Sequence, residues 1–550
     1  MSSDASTLPL RDAPVGSPRV KRGLLRGRAG ALARSQERAW IGAACLLAIV
    51  ACSAFVVVMA ANRPSILSAT THANYFPHWM AGPLGGLLPG LTRNNTTLKY
   101  LFSGAIVVMY ASYLLALLYV PRLRARWVIA TVLAVHAIFL LAPPLALTDV
   151  FNYVNYGRME VVHNLNPYTS IPILEPHNDP SYDLSNWHQL LSPYGPLFTL
   201  LTFVVVPLGV AASFWVLKGL LALFSLGTLF LVWKCARLLG RDPVAAIVLV
   251  GLNPIVLVWG LGGDHNDFLM VFFIVLGFYL LLRTRDRLGT RGGADDPPRA
   301  RDVDVVRDSS SAPDSGAALR SAEAAVAGGR TPAGVRGWLL PLCAPEIGAG
   351  AAFVTAAAIK ASGGVLIPVV LAGLVRTPKR LGQVVIGMAC AGAATAVASL
   401  LAFGLHIPDL STQSRLVTNV SIPNLIGLAL GQGGETESLH LVLSAVLLGS
   451  VALCCVQAWR RRGPITASGW AGVALLVTLS WVLPWYVLWV LPMAALSSSR
   501  RLRVTALALG VYLIIAWAPA SGLLWDTIGF HPEKTPLGRL HQRYVKELLN

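Results

Sequence analysis

Apolar runs long enough to cross a lipid bilayer recur from Trp40 almost to the end of the chain, and short clusters of Arg and Lys separate them. A hydrocarbon core of about 30 Å takes about 20 apolar residues to span as a helix. Inside lipid every backbone donor and acceptor must be satisfied within the segment or by its neighbours. The pattern therefore predicts an all-α polytopic membrane protein. Composition agrees: 55% of the 550 residues are hydrophobic and 13% are charged, against about 25% charged in soluble domains. A soluble enzyme with one anchor is excluded. The net charge of +18 would suggest nucleic acid only if it formed a patch on a folded domain. Here it lies between the apolar runs, as the positive-inside rule places it, so no nucleic-acid partner is expected. The seven cysteines lie in or beside apolar segments without metal-ligand or redox spacing and read as small buried hydrophobes.

Counting basic clusters along the chain sets the expected topology. Residues 1–38 read as a disordered, basic cytoplasmic tail, too long and too charged for the n-region of a cleavable leader. An N-terminal membrane half follows over 39–283, with a large outer loop over 148–210. Its run 196–209 is too short to cross comfortably and is expected to be interfacial or re-entrant. Residues 284–336 are charged, rich in Gly, Ala and Pro, and read as a disordered cytoplasmic loop. A C-terminal membrane half covers 337–519, and 520–550 is expected as an outer tail. The sum is about 13 spans. No internal repeat is evident, which weighs against an inverted-repeat transporter.

With basic residues at the inner ends, a different set of polar residues is left at the outer ends. Asp149 follows an apolar run and reads either as a helix cap or as a functional carboxylate, because charge at a membrane boundary is costly. Asp149, Asn152 and Tyr153 fall on one helical face, with Arg158 further along. Asp264-His-Asn-Asp267 stands at the end of a span, the two carboxylates three apart. Three readings stay open there: a divalent-metal site, a phosphate or sugar contact, and helix capping. Lys360 interrupts an apolar stretch just before Gly363 and Gly364. It snorkels, forms a structural pair, or sits at a broken helix facing an anionic ligand such as a lipid phosphate. His163, His177 and His188 read as solvated loop residues. Trp187, Trp485 and Trp489 read as interface anchors or as stacking platforms for a sugar.

These residues in this order resemble the GT-C glycosyltransferases that use polyprenyl-phosphate sugars, and within them the actinobacterial polyprenol-phosphate-mannose-dependent α-1,6-mannosyltransferases. The resemblance runs through Asp149-Val-Phe-Asn-Tyr-Val-Asn-Tyr-Gly157, Asn166-Pro-Tyr168, Trp187, Ser192-Pro-Tyr-Gly-Pro196, His265-Asn-Asp267, Lys360 and Pro484-Trp-Tyr486. It covers residues 140–500. Leu483 and Asn166 depart from it: relatives often carry a polar residue before Pro-Trp-Tyr and an Asp before Pro-Tyr. The resemblance implies a GT-C-like bundle whose outer loop carries short interfacial helices. It implies transfer of a sugar, mannose above all, from a polyprenyl-phosphate donor to an outer-face glycan or glycolipid acceptor, with inversion. It makes Asp149 the general base. The substrate-binding residues expected are Tyr153, Arg158, Tyr168, Tyr194, Asp264, His265, Asn266, Asp267, Lys360, Trp485 and Tyr486. No cofactor is expected, although a divalent metal stays open. The alternatives are a transporter or flippase of lipid-linked sugars and a ligase or polymerase of preassembled glycans.

Overall fold

The structure is a computed structural model that describes residues 18–62, 77–87, 94–145, 149–292, 344–461 and 463–549. Among them there is no strand, as the apolar periodicity requires. The principal helices are α1 (Pro18–Asn62), α2 (Asn95–Tyr119), α3 (Ala125–Leu140), α4 (Asp149–His163), α5 (Pro196–Val205), α6 (Val210–Leu238), α7 (Pro243–Gly251), α8 (Asp267–Gly292), α9 (Pro345–Ile359), α10 (Ile367–Leu374), α11 (Pro378–Phe403), α12 (Glu437–Arg461), α13 (Pro464–Thr478), α14 (Arg500–Trp517) and α15 (Pro536–Leu549). Helix α1 starts well before the span expected from Trp40. The first 17 residues of the expected tail lie outside the described residues, as does 293–343, which holds most of the expected cytoplasmic loop and Cys343.

Among the described residues six helices are long and apolar enough to cross a membrane, or seven if the pair Arg500–Trp517 and Ser521–Thr527, bent by 73°, is one span. The expected count of about 13 is thus not confirmed. Several of the apolar runs are instead short helices, among them Ala125–Leu140, Pro345–Ile359 and Pro464–Thr478. The physical reason is visible at the breaks. Lys360-Ala-Ser-Gly-Gly364 turns as a 3₁₀ segment between α9 and α10. Pro484 opens another over Pro484–Trp489. Proline lacks the donor a helix interior needs and collides with the preceding turn, so a run that is apolar throughout is still cut. Freed carbonyls at depth find substitute donors. The Gly195 amide donates to Ile359 O at 3.1 Å, and Tyr113 Oη donates to Leu249 O at 2.8 Å.

The interior is one continuous apolar core to which nearly every helix contributes. Helices α11 and α12 lie at its edge and expose Leu400, Leu401, Leu448 and Leu453. An apolar band of this kind is stable only against hydrocarbon or a partner. Cys390 on α11 is also exposed, so not every cysteine is a core residue; Cys45, Cys235 and Cys454 are buried.

The C-terminal helix α15 lies against the loop that follows α4. The Gln189 amide donates to Leu548 O at 3.0 Å, and Leu190, Leu416 and Leu548 form a small second core with Trp187, Trp481 and Tyr544. Trp187 meets Trp481 edge-on, so it is a packing residue of this cluster.

Candidate active site

Helix α4 starts at Asp149, which places that carboxylate in its first turn, where the positive end of the helix dipole favours it. Tyr153, one turn on, is fully buried. Its hydroxyl accepts from the Asn266 amide at 3.3 Å, and its ring stands edge-on to Tyr194 and Phe198 at 4.7 Å each. This face of α4 thus docks on the Asp264–Asp267 turn. Asn152 points elsewhere and accepts from the Asn186 amide in the loop that follows α4, so the face expected to hold Asp149, Asn152 and Tyr153 together is divided.

The backbone ahead of Asp267 is wound to expose that turn. Asn253 caps the segment through its side chain, and residues Val256–Leu261 then form a π-helix, a form that recurs at functional sites. The turn is anchored by the Leu145 amide, which donates to Gly262 O at 2.7 Å. A Cβ on Gly263 would lie 2.2 Å from Trp259 O and 2.6 Å from His265 Nε2, so only glycine admits the imidazole here. Asp264 takes φ +59°, a left-handed conformation that costs a non-glycine residue about 1–3 kcal/mol unless its surroundings hold it.

Three carboxylates meet around this turn, each with a different partner. Asp149 Oδ2 lies 3.2 Å from His265 Nδ1 and its side chain is 16% exposed, whereas His265 is buried. The imidazole lies flat on Trp485, centroids 3.4 Å apart at 9°. Asp264 is gripped by Lys218 Nζ at 2.9 and 3.1 Å. Asp267 receives Lys360 Nζ at 2.9 and 3.0 Å and Trp489 Nε1 at 2.6 Å. Lys360 lies over the rings of Tyr486 and Trp489, which stack on each other at 4.2 Å. Its side chain is 18% exposed, and a cation so placed can meet an anionic group without leaving Asp267. Asp149, Tyr153, Tyr194, the Asp264–Asp267 turn, Lys360, Trp485 and Tyr486 are therefore one cluster, drawn from five separate stretches of sequence. Among the described residues no group of three or more His, Cys, Asp or Glu is arranged to hold a metal ion.

Two of the expected substrate contacts lie apart from it. Arg158 gives Nε and Nη2 to Asp179 at 2.8 to 3.0 Å, and His163 Nε2 joins the same carboxylate at 2.8 Å. Its guanidinium is paired within the loop that follows α4, and His163 shares the same carboxylate. Tyr168 donates to Tyr194 O at 2.8 Å and bonds Thr199 Oγ1; it braces the start of α5. Lys218 and the bond from Trp489 to Asp267 were not foreseen from the sequence. A lone Lys in the apolar run of α6 is the same signal that marked Lys360.

The loop beside α4 holds two acids in opposite states. Burial would raise Asp179, but the hydrogen bonds from Arg158, Ser181 and His163 outweigh it and hold its carboxyl well below the usual range. Glu175 is buried with Asn155 as its hydrogen-bond donor, and burial pushes its pKa up to about 8. The folded loop thus keeps a proton there that the unfolded chain releases above pH ~4.3. Stability contributed by this proton is complete at acid pH and is lost as pH rises towards 8. The protection of residues 164–195 against hydrogen exchange, taken relative to the intrinsic rate at each pH, is expected to fall over that interval in the wild type and to lose this dependence in Glu175→Gln. An unchanged profile in the variant would refute the assignment.

A helical membrane protein with carboxylates, a lysine and stacked aromatics gathered at the ends of broken helices is built like a membrane-embedded glycosyltransferase. The chain belongs to the alpha-(1->6)-mannopyranosyltransferase family: the model of that family's N-terminal domain matches residues 39–376, and a model of the MptB C-terminal domain matches 417–529. An alpha-(1->6)-mannopyranosyltransferase of Mycobacterium tuberculosis is 28% identical over 417 residues, 70% of this chain and 68% of that protein. Alpha-(1->6)-mannopyranosyltransferase A of the same organism is 34% identical over 157 residues, 27% of this chain and 30% of the relative. Alpha-(1->6)-mannopyranosyltransferase B of Corynebacterium glutamicum is 30% identical over 166 residues, 28% of this chain and 26% of the relative. No solved structure matches. The protein is a multi-pass membrane glycosyltransferase of the mannosyltransferase kind.

Proposed function

We propose that this protein transfers mannose from a polyprenyl-phosphate donor to the hydroxyl of an outer-face glycan or glycolipid, with inversion at the sugar, and that Asp149 is the general base. The observation that carries this reading is the set of buried polar atoms beside Asp149 that have no protein partner: His265 Nε2, both amide atoms of Asn266, and Trp485 Nε1. Each buried group left unsatisfied costs about 1–3 kcal/mol. Their concentration around one part-exposed carboxylate fits a ligand rich in hydroxyls. In the reaction the acceptor oxygen forms a bond to the sugar C1 as its proton passes to Asp149. The bond from C1 to the phosphate oxygen breaks, and the electron pair leaves with the polyprenyl phosphate. Lys360 supplies fixed positive charge for that leaving group, and His265 positions the base. A β-linked donor then yields the α linkage in the family's name.

The test is transfer in isolated membranes from labelled polyprenyl-phosphate mannose to a short α-1,6-mannoside. A labelled product one sugar longer is expected. Product from an arabinose donor and none from the mannose donor would overturn the sugar. Movement of labelled lipid-sugar across sealed vesicles with no new glycosidic bond would overturn the transferase reading in favour of transport.

A further inference from the structure

At the end of the bundle opposite Asp149 lies a cavity of about 560 Å³. Helix α8 measures the separation: it starts at Asp267 in the candidate active site and lines the cavity with Leu281 and Leu282, about 20 Å further along at 1.5 Å per residue. Arg241, Arg376, Arg380 and Arg461 line the cavity, and among the described residues no Asp or Glu does. Among the described residues, Arg380 alone of the four has an acidic partner, Glu346 at 2.9 Å. Arg241 is held by one bond, from Nη1 to Ser497 O, and its Nε is buried without a partner. Arg503 donates to the same carbonyl, which brings a fifth cation close. Arg376 lies over the Trp459 ring at 4.8 Å, so its side chain is pre-aligned. The remaining wall is mostly apolar, with Phe278, Leu374 and Leu496 among its residues and Thr377, Thr466 and Ser498 as its hydroxyls.

Cations crowded together with one carboxylate between them repel, and a buried guanidinium nitrogen with no acceptor is costly. One anion with several acceptor oxygens removes both penalties, and the planar fork of Arg suits phosphate. The division into a basic part and an apolar part matches a headgroup continued by acyl chains, and basic pockets between membrane helices take anionic headgroups. We propose that this cavity binds the phosphate of an anionic phospholipid headgroup, at a site separate from the candidate active site and independent of the reaction proposed there.

The test uses the full chain purified in neutral detergent, with phosphatidylglycerol, phosphatidylcholine or inorganic phosphate added singly, read by native mass spectrometry and by thermal unfolding. Phosphatidylglycerol is expected to stay bound and to raise the unfolding midpoint, as a ligand of the folded state must; phosphatidylcholine is expected to do neither. The double variant Arg241→Gln/Arg376→Gln should weaken phosphatidylglycerol retention about tenfold or more, since each lost charged hydrogen bond is worth that much. Arg460→Gln removes the same kind of charge from the exposed neighbour of Arg461 and should leave retention unchanged. Equal retention of the two lipids would overturn the proposal, and this comparison needs no variant, so it decides even if the double variant does not fold. Equal weakening by Arg460→Gln would overturn it too. The same thermal shift from inorganic phosphate alone would mark a free-anion site and overturn the lipid assignment.

Discussion

Asp149→Asn is expected to lower mannosyl transfer by about 10²–10⁴-fold, the usual worth of a general base, while the protein still inserts and folds. The fold should survive because the side chain is part-exposed and its close ionisable neighbour is His265, while Tyr153 and Asn266 hold the helix start through other atoms. Asparagine keeps the shape and can still meet the imidazole, but it cannot take the acceptor's proton. Transfer of labelled mannose in membranes, normalised to the amount of folded protein, is the measurement. Wild-type rates in Asp149→Asn would remove Asp149 from the role of base and leave the membrane fold untouched.

The second large effect concerns stability. Lys218 and Asp264 are an ion pair in which both side chains are 1% exposed. Lys218→Met leaves Asp264 buried without a counter-charge, which is expected to cost about 3–5 kcal/mol. The cost falls on a turn already held in a left-handed conformation at Asp264, so loss of the pair should release the turn that carries His265. Lys218→Met/Asp264→Asn is the informative companion. It removes both charges together, and Asn tolerates positive φ as well as Asp does. Recovery of thermal stability in the double variant, with the single variant destabilised, is the expected pattern. A single variant as stable as the wild type would show that the pair contributes nothing net.

What the sequence made legible follows from what each signal depends on. Apolar runs and basic clusters report partition between lipid and water, which composition alone determines, and they located the membrane helices. Asp149, Asp264–Asp267, Lys360 and Pro484-Trp-Tyr486 stood out because polar groups at membrane depth are costly wherever they lie, and the fold brings them together. The number of full spans was not legible. A hydropathy window does not register that the chain bends at Pro484 or after Lys360, since both flanks stay apolar. Pairing was not legible either. Arg158 is positive in any sequence reading, but that it meets Asp179 depends on how the loop after α4 folds back. Lys218 was hidden for the converse reason: its partner lies 46 residues away, on another helix end, and only the tertiary fold makes the two adjacent. The flat stack of His265 on Trp485 is equally a product of the fold.

The contact between the Gln189 amide and Leu548 O has a bearing on timing. The loop beside Asp149 leaves the ribosome early, but its brace in α15 follows about 360 residues later (548 − 189). A contact so distant along the chain closes late, because long loops cost entropy before they return any contact energy. The loop beside the candidate active site therefore reaches its final shape only after both membrane halves have been made, and a nascent chain holds an unfinished site throughout its synthesis.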